Sequence, residues 1–379
     1  MIKSKDLYDL LVKNDIHYFA GVPDSLLKHF CAYLAAVDQK NHTIAANEGG
    51  AVGLAIGHYL STGKPACVYL QNSGLGNIIN PLLSLADKEV YGIPILFLFG
   101  WRGEPGIKDE PQHIKQGKVM TNMLGAMDIP FQIIDSSSKD EIQSIVQSAS
   151  KYMREQHCPY ALLAKKNTFD TFDYSQEQIK SLYGLTREDA IRYIIELTNG
   201  DEVFVSTTGM TSRELFELRK TINKGDKIAT DFLTVGGMGH ANQIAAAIAK
   251  NTKKRVICID GDGALLMHLG GISIIPTLNL SNFVHVVINN GAHDSVGGQP
   301  TVAQKINLGT IAKACGYDHI YSIEGKDIHS QLDSAMKNNG LTFLEILVDR
   351  GHRKTLGRPT RSPLENKHSF MEHILNDNT

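Results

Sequence analysis

Short apolar runs rich in β-branched and aromatic residues alternate with helix-patterned segments along all 379 residues of the chain. This alternation is typical of parallel α/β structure, because strands that are buried on both faces read as continuous apolar runs. It predicts two sets of strands. The first set is HYFA (17–20), TIAA (43–46), ACVYLQ (66–71), IPILFLFG (93–100), PFQIID (130–135) and YALLAK (160–165). The second set is EVFVSTTG (202–209), KIATDF (227–232), RVICID (255–260), FVHVVI (283–288), DHIYSI (318–323) and FLEILV (343–348).

A polar stretch of low periodicity, NTFDTFDYSQEQIKSLYG (167–184), separates the two sets. We therefore predict a first domain over 1–170, a linker over 171–186 and a second domain over 187–379. The chain length and an apolar content of 42% are enough for two hydrophobic cores. The halves share a pattern of elements and show no residue-level repeat.

Composition and charge disfavour several classes of protein. A net charge of -2 leaves no basic footprint, which argues against general nucleic-acid binding. The N-terminus places Leu7, Leu10 and Leu11 at helical spacing without a signal-peptide run, and no apolar segment long enough to span a bilayer follows. The five cysteines are odd in number, scattered and free of C-x-x-C spacing, which argues against a disulfide framework and a zinc site. These features predict a cytoplasmic protein that does not enter a membrane.

The segment WRGEPGIKDEPQHIKQGK (101–118) lies between a predicted strand and a predicted helix and has almost no apolar residues. Loops of this length without structure are uncommon in compact domains, so we expect it to be either functional or disordered. Its basic side chains are Arg102, Lys108, His113, Lys115 and Lys118.

An acid flanked by two glycines, Gly261-Asp262-Gly263, directly follows the predicted strand at 255–260. Ligands bind at the carboxyl ends of parallel strands, and a metal ion lets a carboxylate face a phosphate that it would otherwise repel. Asn289 and Asn290 follow the next strand after 25 intervening residues and bring amide oxygens to the same edge. Hard oxygen ligands of this kind suit Mg²⁺, whereas a glycine-flanked acid after a strand, taken alone, is usually just a turn.

This pairing resembles the fingerprint of thiamine diphosphate enzymes. The resemblance implies that Asp262, the side chain of Asn290 and the carbonyl of Ala292 hold Mg²⁺. It also implies cofactor contacts at Gly261, Gly263 and Ala264.

Thiamine diphosphate enzymes also place a glutamate on the pyrimidine ring of the cofactor. The segment TIAANEGGAVGLAIG (43–57) supplies Glu48 at a strand-to-helix junction, which makes Glu48 the expected catalytic acid. The alternative is an ordinary acid in the first helical turn that complements the helix dipole.

Three more segments resemble cofactor-binding parts of this superfamily. VGGMGHANQIAAAIA (235–249) is similar to the segment that holds the cofactor in a bent form, although Met238 is also a reasonable core residue. QNSGLGNIINPL (71–82) is similar to the glycine turn of the pyrimidine-binding domain, and STTG (206–209) to a diphosphate-binding turn. Neither glycine-rich segment completes G-x-G-x-x-G, so a dinucleotide site is disfavoured. The residues implied are Gly74, Ser206, Thr207, Thr208, Gly236, Met238 and His240.

Over its whole length the chain resembles thiamine-diphosphate-dependent 2-oxoacid decarboxylases, without the middle domain that most of them carry. The resemblance implies an α/β fold of two parallel-sheet domains, a pyrimidine type followed by a diphosphate type. Within that superfamily it resembles phosphonopyruvate decarboxylases, with sulfopyruvate decarboxylases as close relatives, and implies conversion of 3-phosphonopyruvate to phosphonoacetaldehyde and CO₂ in phosphonate biosynthesis. The segments that carry this are FAGVPDSLLK (19–28), EPQHIKQG (110–117), VSTTGMTSRELFE (205–217), NNGAHDSVGGQPT (289–301) and LGRP (356–359).

The resemblance also implies proton-transfer residues and a cationic site for the substrate. Asp24, His113, His293 and Asp294 are the expected proton-transfer residues, although Asp24 is equally suited to cap a helix and His113 to be an ordinary loop residue. A phosphonate is read by guanidinium forks and lysines, while charged segments are more often simply solvated. The candidate substrate cations are Arg102, Lys115, Arg353, Lys354 and Arg358.

In this superfamily the two domain types meet between subunits, so the resemblance implies a homodimer or a larger homo-oligomer with shared active sites. Three alternatives stay open at this point: a sulfopyruvate decarboxylase, a carboligating enzyme of the acetolactate synthase type, and a thiamine-diphosphate-binding scaffold without turnover.

Overall fold

Each predicted set of strands forms its own six-stranded parallel sheet. The computed structural model divides the chain into two units, Met1–Gln176 and Glu177–Thr379, with one sheet in each. The described residues are 1–135, 139–172, 181–222, 231–325 and 328–376. The predicted fold class, two parallel-sheet α/β domains, is confirmed, and every predicted run overlaps an observed strand. Residues 173–180 of the predicted linker and residues 227–230 of the predicted strand at 227–232 lie outside the described residues.

The first unit has strand order β2-β1-β3-β4-β6-β5. Its strands are β1 (Tyr18–Gly21), β2 (His42–Ile44), β3 (Ala66–Gln71), β4 (Ile95–Gly100), β5 (Phe131–Ile134) and β6 (Tyr160–Ala164). Its helices are α1 (Ser4–Lys13), α2 (Lys28–Val37), α3 (Glu48–Thr62), α4 (Leu75–Pro81), α5 (Pro111–Ala126) and α6 (Lys139–Gln156). A π-helical turn, Leu82–Ala86, continues α4.

The sheet of the first unit is buried on both faces. Along β3, Cys67 and Tyr69 join one hydrophobic cluster while Val68 and Leu70 join the other. Successive side chains of a strand point to opposite faces, so one continuous apolar run supplies both cores. This explains why the strands of this unit are apolar without alternation.

The second unit has strand order β13-β14-β10-β9-β7-β8 and a small antiparallel pair, β11-β12. Its strands are β7 (Val203–Ser206), β8 (Asp231–Leu233), β9 (Val256–Gly261), β10 (Phe283–Asn289), β11 (Ala292–His293), β12 (Gln299–Pro300), β13 (His319–Ile323) and β14 (Thr342–Leu347). Its helices are α7 (Arg187–Glu196), α8 (Met210–Ile222), α9 (Ala241–Lys250), α10 (Asp262–Met267), α11 (Leu308–Cys315), α12 (Ile328–Lys337) and α13 (Pro363–Asn376).

The same two-faced burial recurs in the second unit. Ile257 and Ile259 of β9 contribute to one cluster, and Val256 and Cys258 to the other. Because β7, β9 and β10 are neighbours, their carboxyl ends bring three loops together at one edge of the sheet.

The structure corrects the extent of the predicted loop at 101–118. Helix α5 begins within it, at Pro111, so that residues 111–118 are helical. A proline suits the first turn of a helix because its fixed φ is already helical and its missing N–H would have no partner there. The predicted N-terminal helix is confirmed as α1, with Leu7, Leu10 and Leu11 buried. Across the described parts of the chain, no helix has the length and apolarity needed to cross a membrane.

Candidate active site

The carboxyl edge of the first sheet carries the candidate residues of the first unit. Asp24 follows β1, Glu48 follows β2 and Gly74 follows β3. Because β1 lies between β2 and β3, these three loops come from adjacent strands. Edges of this kind, where consecutive connections leave in opposite directions, are common ligand sites.

Glu48 is the first residue of α3 and is 5% exposed. The helix starts here because the Asn47 side chain accepts a 2.8 Å hydrogen bond from the Gly50 amide. The Asn77 side-chain amide donates a 2.7 Å hydrogen bond to Glu48 Oε2. Gly74 lies against the other oxygen, since a Cβ at that position would be 2.4 Å from Oε1. The carboxylate is therefore fixed between a donor and a glycine.

Asp24 is fully buried and occupied by local contacts. Its Oδ2 accepts hydrogen bonds from the amides of Leu26 and Leu27, and its Oδ1 accepts one from Gln71 Nε2. Burial raises the pKa of Asp24, and these hydrogen bonds offset part of the rise. The two amides belong to the turn that precedes α2, which begins at Lys28, and a role of Asp24 in proton transfer stays a prediction.

An ion pair between Arg102 and Asp109 holds the loop after β4. Arg102 donates through Nε (2.8 Å) and Nη2 to the carboxylate of Asp109, and through Nη1 (2.9 Å) to Ser25. Burial opposes ionisation of Asp109, but hydrogen bonds from Arg102 outweigh it and hold the pKa of Asp109 well below its usual range. Arg102 therefore shapes the loop, whereas its predicted contact with a substrate stays a prediction.

His113 and Lys115 lie in the first turns of α5. His113 is buried, and Lys115 is exposed. Gly103 passes so close that a Cβ there would be 1.9 Å from the His113 carbonyl oxygen, and its φ is +69°. Only glycine fits both conditions, so the loop is pinned over the start of the helix.

In the second unit, one cleft gathers most of the residues predicted for the diphosphate and the metal. It opens at the carboxyl ends of β7, β9 and β10. The predicted residues that line it are Thr207, Thr208, Met238, Gly261, Asp262, Gly263, Ala264, Asn290, Ala292, His293 and Asp294. Arg187, Met210 and Thr211 also line this cleft, and none of them had been predicted.

Asp262 is 3% exposed and begins helix α10. Burial raises its pKa to about 6, and the like charge of Asp294 adds to the rise. The Thr301 hydroxyl donates a short hydrogen bond to Oδ2 of Asp262, and this bond lowers the pKa of Asp262. A bound cation stabilises a carboxylate whose ionised form is disfavoured by burial and by a like charge.

The carboxamide of Asn290 is held at both ends. Its Nδ2 donates a 2.7 Å hydrogen bond to Asp294 Oδ2, and its Oδ1 accepts a 3.1 Å hydrogen bond from the Ala292 amide. Gly291 supplies the turn between them with φ of +63°.

His293 and Met238 both lie close to Gly263. A Cβ on Gly263 would be 2.9 Å from the His293 ring and 3.4 Å from Met238 Cε. Burial lowers the pKa of His293 to about 4, so the ring is neutral at neutral pH. A side chain at position 263 would crowd both of them, the His293 ring most closely.

Among the residues of the second unit predicted to bind the cofactor, three do not line this cleft: Ser206, Gly236 and His240. Ser206 is fully buried at the end of β7. His240 is exposed, with Nδ1 3.0 Å from the Gly237 carbonyl and its ring 4.6 Å from that of His268. Their cofactor contacts stay predictions.

The basic segment, residues 350–358, contacts other parts of its own unit through Arg350 and Arg353. Arg353 forms ion pairs with Glu188 of α7 and Glu217 of α8. Arg350 donates 3.4 and 3.2 Å hydrogen bonds to the carbonyls of Asn290 and Gly291. Lys354 and Arg358 are exposed. The segment thus reaches the predicted metal ligand through a residue that had not been singled out.

Comparisons with known proteins identify the family. Residues 3–124 match the thiamine pyrophosphate enzyme N-terminal TPP binding domain, and residues 207–346 match the C-terminal TPP binding domain. The chain is 31% identical to the phosphonopyruvate decarboxylase of Streptomyces viridochromogenes, over 99% of this chain and 95% of that protein. The chain belongs to the phosphonopyruvate decarboxylase family of thiamine pyrophosphate enzymes.

Two further relatives agree with this family. A phosphonopyruvate decarboxylase of Streptomyces hygroscopicus is 30% identical over 98% of this chain and 94% of its own length. A sulfopyruvate decarboxylase of Methanosarcina acetivorans is 26% identical over 86% of each chain. As a member of the phosphonopyruvate decarboxylase family, the chain is a decarboxylase whose cofactor is thiamine diphosphate, as predicted. No middle domain separates its two cofactor-binding domains.

The cleft of this phosphonopyruvate decarboxylase family member fits Mg²⁺ and a diphosphate. The residues that would hold the metal offer the buried carboxylate of Asp262, the carboxamide oxygen of Asn290 and the backbone carbonyl of Ala292, which are hard oxygen ligands. Gly261 and Gly263 leave the backbone beside Asp262 without side chains, which allows a phosphate to approach.

The sequence analysis missed Asn77 in the candidate site of the first unit and Thr301 and Arg187 in that of the second. Asn77 lies one helical turn after Gly74, a spacing that could have indicated it. Thr301 is brought back by the hairpin of β11 and β12, for which the Gly297-Gly298 pair is a signal. Arg187 lies 107 residues from its partner Asp294, and no local pattern predicts that pairing.

Proposed function

We propose that the protein converts 3-phosphonopyruvate to phosphonoacetaldehyde and CO₂. The supporting observation is that phosphonopyruvate decarboxylases match at 31% and 30% identity over 99% and 98% of the chain, while the sulfopyruvate decarboxylase matches at 26% over 86%. In this reaction the bond between the carbonyl carbon and the carboxylate breaks and CO₂ leaves. The carbon that keeps the electron pair then takes up a proton.

Thiamine diphosphate, when bound, supplies the electron sink for that electron pair. Glu48 is the proposed group that exchanges a proton with the pyrimidine ring, held for this by Asn77 and Gly74. Asp262, the Asn290 side chain and the Ala292 carbonyl are the proposed Mg²⁺ ligands. Thr207, Thr208 and the glycines beside Asp262 line the space proposed for the diphosphate.

Proton delivery is proposed for the histidines of the two half-sites. His293 is neutral at neutral pH, because burial lowers its pKa to about 4, and a neutral imidazole can both donate and accept. His113 is buried near the start of α5.

The substrate phosphonate is proposed to meet exposed cations of the chain. Lys115, Lys354 and Arg358 are exposed. Arg102 and Arg353 form ion pairs with acids of the protein itself, Arg102 with Asp109 and Arg353 with Glu188 and Glu217. A lysine acts on a phosphonate as a point charge, and an arginine can bind it at two points.

We also propose a homodimer or larger homo-oligomer in the cytoplasm. Exposed apolar side chains of the first unit support the oligomer: Leu54 and Leu60 lie on α3, the helix that begins at Glu48, and Leu83 and Leu85 lie on the turn after α4. The five free cysteines support the cytoplasm, because thiols are kept reduced in that compartment. Sedimentation of an active monomer would contradict the oligomer.

Phosphorus NMR on a single reaction mixture tests the proposed activity. Purified protein with thiamine diphosphate and Mg²⁺ should convert the phosphonopyruvate resonance into that of phosphonoacetaldehyde, with one CO₂ released per product. A condensed hydroxyketone as the main product would instead identify a carboligase.

A further inference from the structure

Three hydrogen-bond donors meet on one oxygen of Asp294. Oδ2 accepts hydrogen bonds from Asn290 Nδ2 at 2.7 Å, from the Gly351 amide at 3.0 Å and from Arg187 Nη1 at 3.1 Å. The Asp294 side chain is 9% exposed. An oxygen that receives three donors acts as an acceptor, which does not suit a group that must hand over a proton there.

The first of these hydrogen bonds decides which way the Asn290 carboxamide faces. With Nδ2 directed to Asp294, the carboxamide oxygen lies on the opposite side, beside the Ala292 amide. Nitrogen and oxygen of a carboxamide are interchangeable in shape, so only their partners select one orientation. Only the oxygen can serve as a ligand for Mg²⁺.

The other two hydrogen bonds hold Asp294 itself. Arg187 is 6% exposed and also forms an ion pair with Glu214, through Nε at 2.7 Å and Nη2 at 3.0 Å. Arg187 Nη2 also donates a 3.3 Å hydrogen bond to the carbonyl of Gly351. The amide of the same glycine donates to Asp294. Arg187 of α7, which is itself paired with Glu214 of α8, and the Gly351 amide of the basic segment therefore hold the carboxylate.

We propose that Asp294 is a positioning residue, held by Arg187 and the Gly351 amide, that orients the carboxamide of Asn290 toward the divalent cation. The inference rests on the proposed metal role of Asn290. It replaces the proton-transfer role expected from the sequence for Asp294.

Binding of Mn²⁺, measured by the loss of its free electron paramagnetic resonance signal in the presence of thiamine diphosphate, tests the proposal without any turnover. Asp294→Ala should raise the Mn²⁺ dissociation constant about 10- to 100-fold, the range expected when a partner that orients a metal ligand is removed. Asp294→Leu is similar in size and has no acceptor, so it carries the same test should Asp294→Ala fail to fold. Asp333→Ala, the same truncation in an exposed ion pair on α12, should leave Mn²⁺ binding unchanged.

Kinetics at two Mg²⁺ concentrations separate positioning from proton transfer. In Asp294→Ala the Mg²⁺ activation constant should rise by the same factor, while saturating Mg²⁺ restores kcat to within about threefold of the parent. Unchanged Mn²⁺ binding with a large fall in kcat at saturating Mg²⁺ would overturn the proposal and return Asp294 to proton transfer.

Asn290→Ala distinguishes failure of this inference from failure of the proposed metal site. If Asn290→Ala weakens Mn²⁺ binding and the Asp294 variants do not, only the positioning role is wrong. If Asn290→Ala leaves Mn²⁺ binding intact, the proposed metal site is wrong and the inference is overturned with it.

Discussion

The side-chain amide of Asn77 donates a 2.7 Å hydrogen bond to Oε2 of Glu48. The donor comes from α4, after β3, and the acceptor from the start of α3, after β2. The expected catalytic acid is thus oriented by a residue from another loop at the same sheet edge.

Removing this donor should lower activity while Glu48 remains in place. A hydrogen bond to a charged group is worth about 1.5–3 kcal/mol, so Asn77→Ala should reduce kcat/KM by roughly 10- to 100-fold. Asn80→Ala, one turn further along α4 and partnered by Ser84, is the matched control and should be near neutral. Equal effects of the two substitutions would show that helix stability, and not Glu48, is responsible.

Glu48→Gln keeps the shape of the side chain and removes its ability to exchange a proton. We expect kcat to fall on the order of 10²- to 10⁴-fold while thiamine diphosphate still binds, measured by calorimetry alongside CO₂ release. Glu155→Gln, an exposed acid on α6, should change neither quantity. Undiminished turnover by Glu48→Gln would exclude Glu48 from the chemistry.

Gly74→Ala places a methyl group where the Glu48 carboxylate now lies, because its Cβ would be 2.4 Å from Oε1. The carboxylate must move, so we expect at least a tenfold loss of kcat/KM with the far-ultraviolet circular dichroism unchanged. Gly76→Ala is the control, since a Cβ there has open space around it. The two variants should differ in activity and agree in fold, and matching activities would count against the close packing of Gly74 on Glu48.

Asp262 should make the metal-free protein less stable as the pH rises. Its pKa of about 6 in the folded protein lies above the ordinary value of 3.8, so its contribution to stability is complete below about pH 4 and is lost as the pH rises through about 6. At about 1.4 kcal/mol per pKa unit, the loss in unfolding free energy approaches 3 kcal/mol.

Urea unfolding of the metal-free protein between pH 4 and pH 7.5 measures this term. Asp262→Asn should abolish that part of the pH dependence and should also lose the stabilisation that Mg²⁺ with thiamine diphosphate gives at pH 7.5. Identical pH profiles for the two proteins would contradict the burial-induced rise in the pKa of Asp262.

The fold was predictable because parallel strands buried on both faces leave long apolar runs, and β3, β4 and β9 show this directly. The cleft of the second unit was largely predictable for a related reason. Asp262 and Asn290 each follow a strand end, and strands β9 and β10 are neighbours. The local sequence was therefore enough to predict that Asp262 and Asn290 lie at the carboxyl edge of the sheet.

What the sequence did not reveal depends on contacts between distant segments. Arg187 meets Asp294 across 107 residues and Arg353 meets Glu188 across 165, so neither pair leaves a local pattern. Arg353 forms ion pairs with acids of α7 and α8, and its predicted contact with the substrate stays a prediction. The start of α5 at Pro111 was missed for a different reason, because the polar first turn of that helix resembles the loop before it.

A comparison of kcat/KM for phosphonopyruvate, sulfopyruvate and pyruvate, with thiamine diphosphate and Mg²⁺ saturating, tests the central claim most directly. The account predicts CO₂ release that requires both cofactors and a kcat/KM at least tenfold higher for phosphonopyruvate than for either competitor. Preference for sulfopyruvate, or no CO₂ from phosphonopyruvate by protein that has bound both cofactors, would contradict it.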